Sequence, residues 1–124
     1  MVKTKLEIQW WAEPEEHNYP AAESYLSLIF EPTVAQSCVG KLRKAGVVEF
    51  KAKDIFRASG LSLLGVSNSH VVRDQKKLEA NEKMSPILLV RDSVHGRVIV
   101  ADGYHRLCAI YSINEDAIIR CKIV

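Results

Sequence analysis

The chain has 124 residues and a formal net charge of only +2, too small to argue for a nucleic-acid binder on charge alone. Apolar residues make up 48% and charged residues 26%, which excludes a disordered chain and fits one globular domain with a real core. No apolar run approaches the roughly 18 residues needed to cross a bilayer, the first residues hold no signal-peptide segment, and Cys38, Cys108 and Cys121 are too widely spaced for a zinc pair. A cytoplasmic protein with no disulfide framework, no metal cluster and no membrane partner is expected.

In chain order, Leu6 to Trp10 alternates and predicts a short strand. Glu13 to Asn18 is loop-like, and Pro20 suits the first turn of a helix. Ala22, Tyr25, Leu26, Ile29 and Phe30 form one apolar stripe on that helix. Glu31-Pro32 breaks it and starts a second helix whose face is Val34, Cys38, Leu42 and Ala45, with Gly46 as its stop. The two make a helical hairpin that must pack against something, either the rest of the chain or a second copy in a homodimer. The basic trio Lys41, Arg43 and Lys44 complements that second helix's C-terminus.

Val47 to Phe50 reads as a short strand, and a helix starting near Asp54 ends at Gly60. Ser67-Asn68-Ser69-His70 is a polar stretch in which Ser69 is expected to cap a helix over Val71 to Asn81. That helix carries a thin stripe of Val71, Gln75 and Leu78, and Lys76-Lys77 reads as its solvated face. Pro86 to Val90 and Arg97 to Ala101 are buried strands joined by a hairpin turn at Asp92 to Gly96, with His95 facing solvent. A helix over Tyr104 to Ser112 follows. Ala117, Ile119, Cys121 and Ile123 then alternate with Ile118, Arg120, Lys122 and Val124 as a half-buried strand. The class is α+β, a small sheet with helices around it, in one domain. Residues 1–45 would be a helical extension and 46–124 the core.

The chemistry concentrates where the strand ending at Ala101 runs through Asp102-Gly103-Tyr104-His105-Arg106 into the last helix. A strand–turn–helix junction points free backbone N–H groups and the positive end of the helix dipole at one spot. Gly103 lets a ligand approach the backbone closely, and Arg106 offers a planar fork that matches phosphate oxygens. Asp102 could cap the helix or help hold a Mg²⁺. The bland alternative stays open: Asp102 is only a cap and Arg106 only a solvated helix residue. Trp10-Trp11 suits one ring in the core and one at an interface, or a stacking platform.

Ser85-Pro86-Ile87-Leu88-Leu89-Val90, the hairpin, and Val100 to Ala109 together resemble the ParB/sulfiredoxin superfamily in its variant with an Asp-Gly turn before a His-Arg pair. The resemblance covers about the last 80 residues, with 83–110 carrying its specificity; the hairpin over 20–45 lies outside it. It implies a small sheet with surrounding helices and a nucleotide site for ATP, ADP or CTP, accompanied by Mg²⁺. Phosphate would lie against Gly103, Tyr104, His105 and Arg106, and the polar stretch with Ser67, Asn68 and His70 would line the cleft. Asp102 and His105 are the candidate catalytic groups for nucleotide hydrolysis or kinase-like phosphoryl transfer.

Sulfiredoxins place a reactive Cys immediately before the His-Arg pair, where this chain has Tyr104; Cys108 lies one helical turn later on the inward face. Peroxide-repair chemistry is therefore not expected. Partition-type members continue into a helix-turn-helix and a dimerisation domain, for which 124 residues leave no room. A nucleic-acid-binding or nuclease-like accessory protein, holding a backbone phosphate at the same turn, is the alternative function.

Overall fold

The computed structural model describes residues 7–64 and 68–124. Among the described residues the fold is α+β: five helices around a four-stranded mixed sheet of order β1-β4-β2-β3. The elements are α1 (Asn18–Ile29), α2 (Pro32–Lys44), β1 (Val48–Lys51), α3 (Ala52–Ser59), α4 (Ser69–Glu79), β2 (Ile87–Asp92), β3 (Arg97–Asp102), α5 (Tyr104–Ile113) and β4 (Ile118–Ile123). β2 pairs antiparallel with β3 through a single 3₁₀ turn at Ser93–His95, and parallel with β4; β1 pairs antiparallel with β4 at the edge. No described helix is long and apolar enough to cross a membrane.

The strands β2 and β3 each carry four consecutive apolar residues, Ile87 to Val90 and Val98 to Ala101, because both faces of the sheet are covered there. Ile87, Leu89, Val98 and Val100 pack with α3, α4 and α5 residues such as Ile55, Val71, Leu78 and Leu107. Leu88, Val90, Ile99 and Ala101 point the other way and meet Tyr19, Ala22 and Leu26 of α1 and Ala35, Val39 and Leu42 of α2. The helical hairpin is thus the third layer of the molecule. Ala22 and Ala35 are both fully buried, which lets α1 and α2 approach each other and the sheet closely. Fully burying Leu26 and Leu42 contributes about 2 kcal/mol each.

Several expectations are corrected. Residues 7–10 form no strand; Trp10 makes one isolated bridge to Met84. The inward face of α1 is Tyr19, Ala22 and Leu26, leaving Tyr25 and Ile29 exposed, and that of α2 is Ala35, Val39 and Leu42, one residue round from Val34 and Cys38. The small Ala35 can enter the three-way contact where the larger Val34 would not fit as closely. α2 ends at Lys44 with Ala45 extended, so Gly46 is not its cap. In α4 the buried stripe is Val71, Asp74 and Leu78 rather than one through Gln75.

Lys122 departs most. It is 1% exposed, because its strand is interior and the position pairs with Leu88 on the face that the hairpin covers. Its Nζ donates to the Arg43 carbonyl (3.1 Å), pairs with Glu13 (3.0 Å) and lies near the Tyr19 ring. Burial pushes its pKa down, but Tyr19 and Glu13 together carry it above the usual lysine value.

Candidate functional site

The site grows from one backbone constraint. β3 ends at Asp102, α5 begins at Tyr104, and Gly103 between them has φ +102°. A side chain is disfavoured there on torsion alone, and a Cβ would sit 2.8 Å from both Ile87 Cβ and Arg106 Nη2. The first bond within α5 runs from the Leu107 N–H to the Gly103 carbonyl (3.0 Å), and no described side chain caps the helix. The N–H groups of Tyr104, His105 and Arg106 are therefore left without an intrahelical partner. Asp102 is not the cap that the sequence allowed. Its Oδ2 accepts instead from Arg106 Nη2 at 3.1 Å, one helical turn on.

Arg106 is held from a second side. Nη2 also donates to Asn18 Oδ1 (3.2 Å), which accepts from Ser85 Oγ (2.7 Å), while Ser85 Oγ accepts from the Glu15 N–H (2.9 Å). A chain of hydrogen bonds thus ties α5 to the start of the helical hairpin. Arg106 Nε is buried with no acceptor among the described residues.

A cleft of about 410 Å³ opens at this junction. One wall is Asp102, Gly103, His105 and Arg106; the other is the face of α4 carrying His70, Arg73 and Lys77, with Asp74 beside them. Lys83, Met84 and Ser85 close one end, together with Glu15 and His17. Arg73, Lys77, Lys83 and Arg106 are four cations against the carboxylates of Glu15, Asp74 and Asp102. The His70 and His105 rings pack against each other in the cleft, with centroids 4.9 Å apart and planes tilted by 39°. His105 has its pKa lowered by burial first, then by His70; Arg73 and Arg106 add to the effect and Asp74 opposes it. Its ring is uncharged at neutral pH.

Of the residues singled out from the sequence, Asp102, Gly103, His105, Arg106 and His70 line this cleft together. Tyr104 does not. Its ring turns toward Phe56 (centroids 6.3 Å apart) and packs on the core, and burial with the Cys108 thiol pushes its pKa up to about 12. Tyr104 can offer the site its backbone N–H but not a phenolate. Cys108 is buried and its thiol pKa is raised by that burial, although Leu64 and Tyr104 pull it partly back. It is a core residue and not a nucleophile. Asn68, not Ser69, caps α4: its Oδ1 accepts from the N–H groups of His70 (3.0 Å) and Val71 (3.3 Å). That oxygen faces its own helix. Ser67 lies outside the described residues.

Sequence reasoning missed Arg73, Lys83, Asn18 and Ser85, and it read Lys77, which lines the cleft, as part of a solvated face. The i, i+3, i+7 spacing of His70, Arg73 and Lys77 puts them on one helix face and was a usable signal. Asn18 and Ser85 are 67 residues apart, and although Ser85 opens the Pro86 strand motif, nothing local shows that the two meet. Trp10 half-buries against the core, whereas Trp11 is exposed with Lys83 Nζ 4.6 Å from its ring. His95 is exposed and pairs with Asp92 at the β2–β3 turn. No family model, curated protein or solved structure matches this chain, so the cleft's own chemistry carries the functional reading.

Proposed function

We infer that the cleft binds a phosphate-bearing ligand, a nucleotide above all, with one phosphate against the Gly103 to Arg106 turn. The observation that carries this is an uncapped helix N-terminus opening into a cleft that also holds Arg73, Lys77, Lys83 and Arg106. The backbone N–H groups supply directional donors, the helix dipole favours negative charge, and the cations can neutralise a second phosphate. The resemblance to the ParB/sulfiredoxin superfamily points to the same class of ligand.

A Mg²⁺ arriving with such a ligand would find Asp102 at the turn. One carboxylate plus substrate phosphates is a usual way to hold that ion. Bound there, it would screen the charge of the phosphates. Among the described residues no cluster of three or more His, Cys, Asp or Glu is set to hold a metal by itself.

Asp102 is engaged by Arg106, so proton transfer falls to His105, whose uncharged ring can accept a proton at one nitrogen. Arg106 would stabilise charge on the phosphoryl oxygens. Nucleotide hydrolysis or phosphoryl transfer is the reaction class that this pair serves.

Calorimetric titration of the folded protein with ATP, ADP and CTP in Mg²⁺ is the test. Heat of binding from at least one supports the reading, and none from all three overturns it. Loss of phosphate release in His105→Ala would extend the reading to catalysis. A nucleic-acid backbone is the second reading, since it would place one phosphate against the same turn. Gel-shift binding that weakens steeply with salt would favour it instead.

A further inference from the structure

The residues that form the phosphate turn all lie late in the chain, yet the N-terminal segment reaches them. Glu15 and His17 line the cleft, and Asn18, the first residue of α1, lies beneath it at 2% exposure. Arginine carries donors only, so the Asn18 amide must turn its oxygen, not its nitrogen, toward Arg106. Ser85 holds it that way. Its Oγ accepts from the Glu15 N–H, which commits its own proton to Asn18 Oδ1.

The Asp102 and Asn18 bonds both end on Arg106 Nη2, which sets the plane of the guanidinium and leaves Nη1 out of these contacts. The two acceptors differ in charge. Asp102 cancels the arginine's charge, whereas the Asn18 amide orients the fork and leaves that charge unaltered. A second carboxylate at position 18 would turn the cluster net negative beside the turn.

We propose that Asn18 is the positioning residue for Arg106, so that the N-terminal hairpin is an integral half of the anion site and not an appendage to it. The ligand part of this rests on the phosphate reading above; the positioning part does not.

The test uses the full chain as Asn18→Ala and Asn18→Asp. The measurements are ¹⁵N NMR of the Arg106 side chain without ligand, calorimetry with inorganic pyrophosphate, and thermal melting. In Asn18→Ala the Arg106 guanidinium should rotate faster, and pyrophosphate should bind about tenfold more weakly, the scale of one hydrogen bond to a charged group. Asn18→Asp should keep Arg106 as immobile and the fold as stable as in the parent, yet also weaken pyrophosphate about tenfold. A purely structural asparagine would not separate order from affinity in this way.

Unchanged Arg106 dynamics in Asn18→Ala would overturn the proposal, as would parental pyrophosphate affinity in Asn18→Asp. Should Asn18→Ala not fold, Ser85→Ala replaces it, with the same direction of change in Arg106 mobility expected and no change overturning the proposal. If the parent chain binds neither pyrophosphate nor any nucleotide, the phosphate reading falls alone. The side-chain NMR then still decides whether Asn18 positions Arg106.

Discussion

Two helices face each other across the cleft, and their first turns are built in opposite ways. α4 starts behind Asn68, whose side chain closes two of the helix's free N–H groups. α5 starts behind Gly103, which has no side chain to close anything and is held at φ +102° against Ile87. The first arrangement secures a helix locally. The second gives up a cap worth about 1 kcal/mol and leaves polar N–H groups directed at the cleft. A helix end that forgoes its own cap next to four cationic side chains is what the proposed phosphate reading rests on. The capped end opposite contributes only its side-chain face.

The contrast can be broken most severely at Gly103. Gly103→Ala should destabilise the fold by about 3 kcal/mol, from the left-handed torsion and the clash with Ile87. A urea melt reads this, and an unchanged stability, or the gain that Gly→Ala gives on a helix surface, would mean that the turn relaxes easily. Next comes Arg106→Ala, which should weaken nucleotide or pyrophosphate binding by about 2 kcal/mol in calorimetry. Arg106→Lys should recover only part of this, because a point charge replaces a fork that two acceptors orient.

Asn68→Ala should cost about 1 kcal/mol of stability in the same urea melt and leave pyrophosphate affinity unchanged. A clear loss of affinity would show that Asn68 reaches the ligand after all, and the two helix ends would then be less different than their geometry implies.

The smallest effect is on protonation. An NMR titration should place the His105 midpoint below the ordinary value of 6.5, and His70→Ala should move it up by removing a neighbouring ring. The sign for stability follows from the depressed folded pKa. The unfolded chain takes up the proton first, so His105 reduces stability as pH falls from 6.5 toward its folded pKa, and below that the difference is constant. A bound phosphate should push the His105 midpoint back up.

Legibility was highest where the signal was local. The Pro86 strand, its hairpin and the strand leading to Asp102-Gly103 are contiguous, and each carries its own periodicity or turn chemistry, so β2, β3 and the start of α5 could be read from adjacent residues. Gly103 announced a special torsion by its identity. What the neighbouring side chains do was much less legible. Asp102 next to a helix start looks like a cap, and only the approach of Arg106 one turn later shows that it is an ion-pair partner. Tyr104 stands within the motif, but its ring follows the packing of Phe56 away from the cleft.

By itself, then, the order of residues determined the α+β class, the positions of most elements and the glycine turn at Gly103, because these depend on interactions spanning a few residues. Only the tertiary structure decided that the helical hairpin is the sheet's second cover, that Lys122 is buried beneath it, and that Asn18 meets Arg106 across 88 positions. Such contacts are set by which faces remain to be buried when the layers assemble, and no local pattern encodes that.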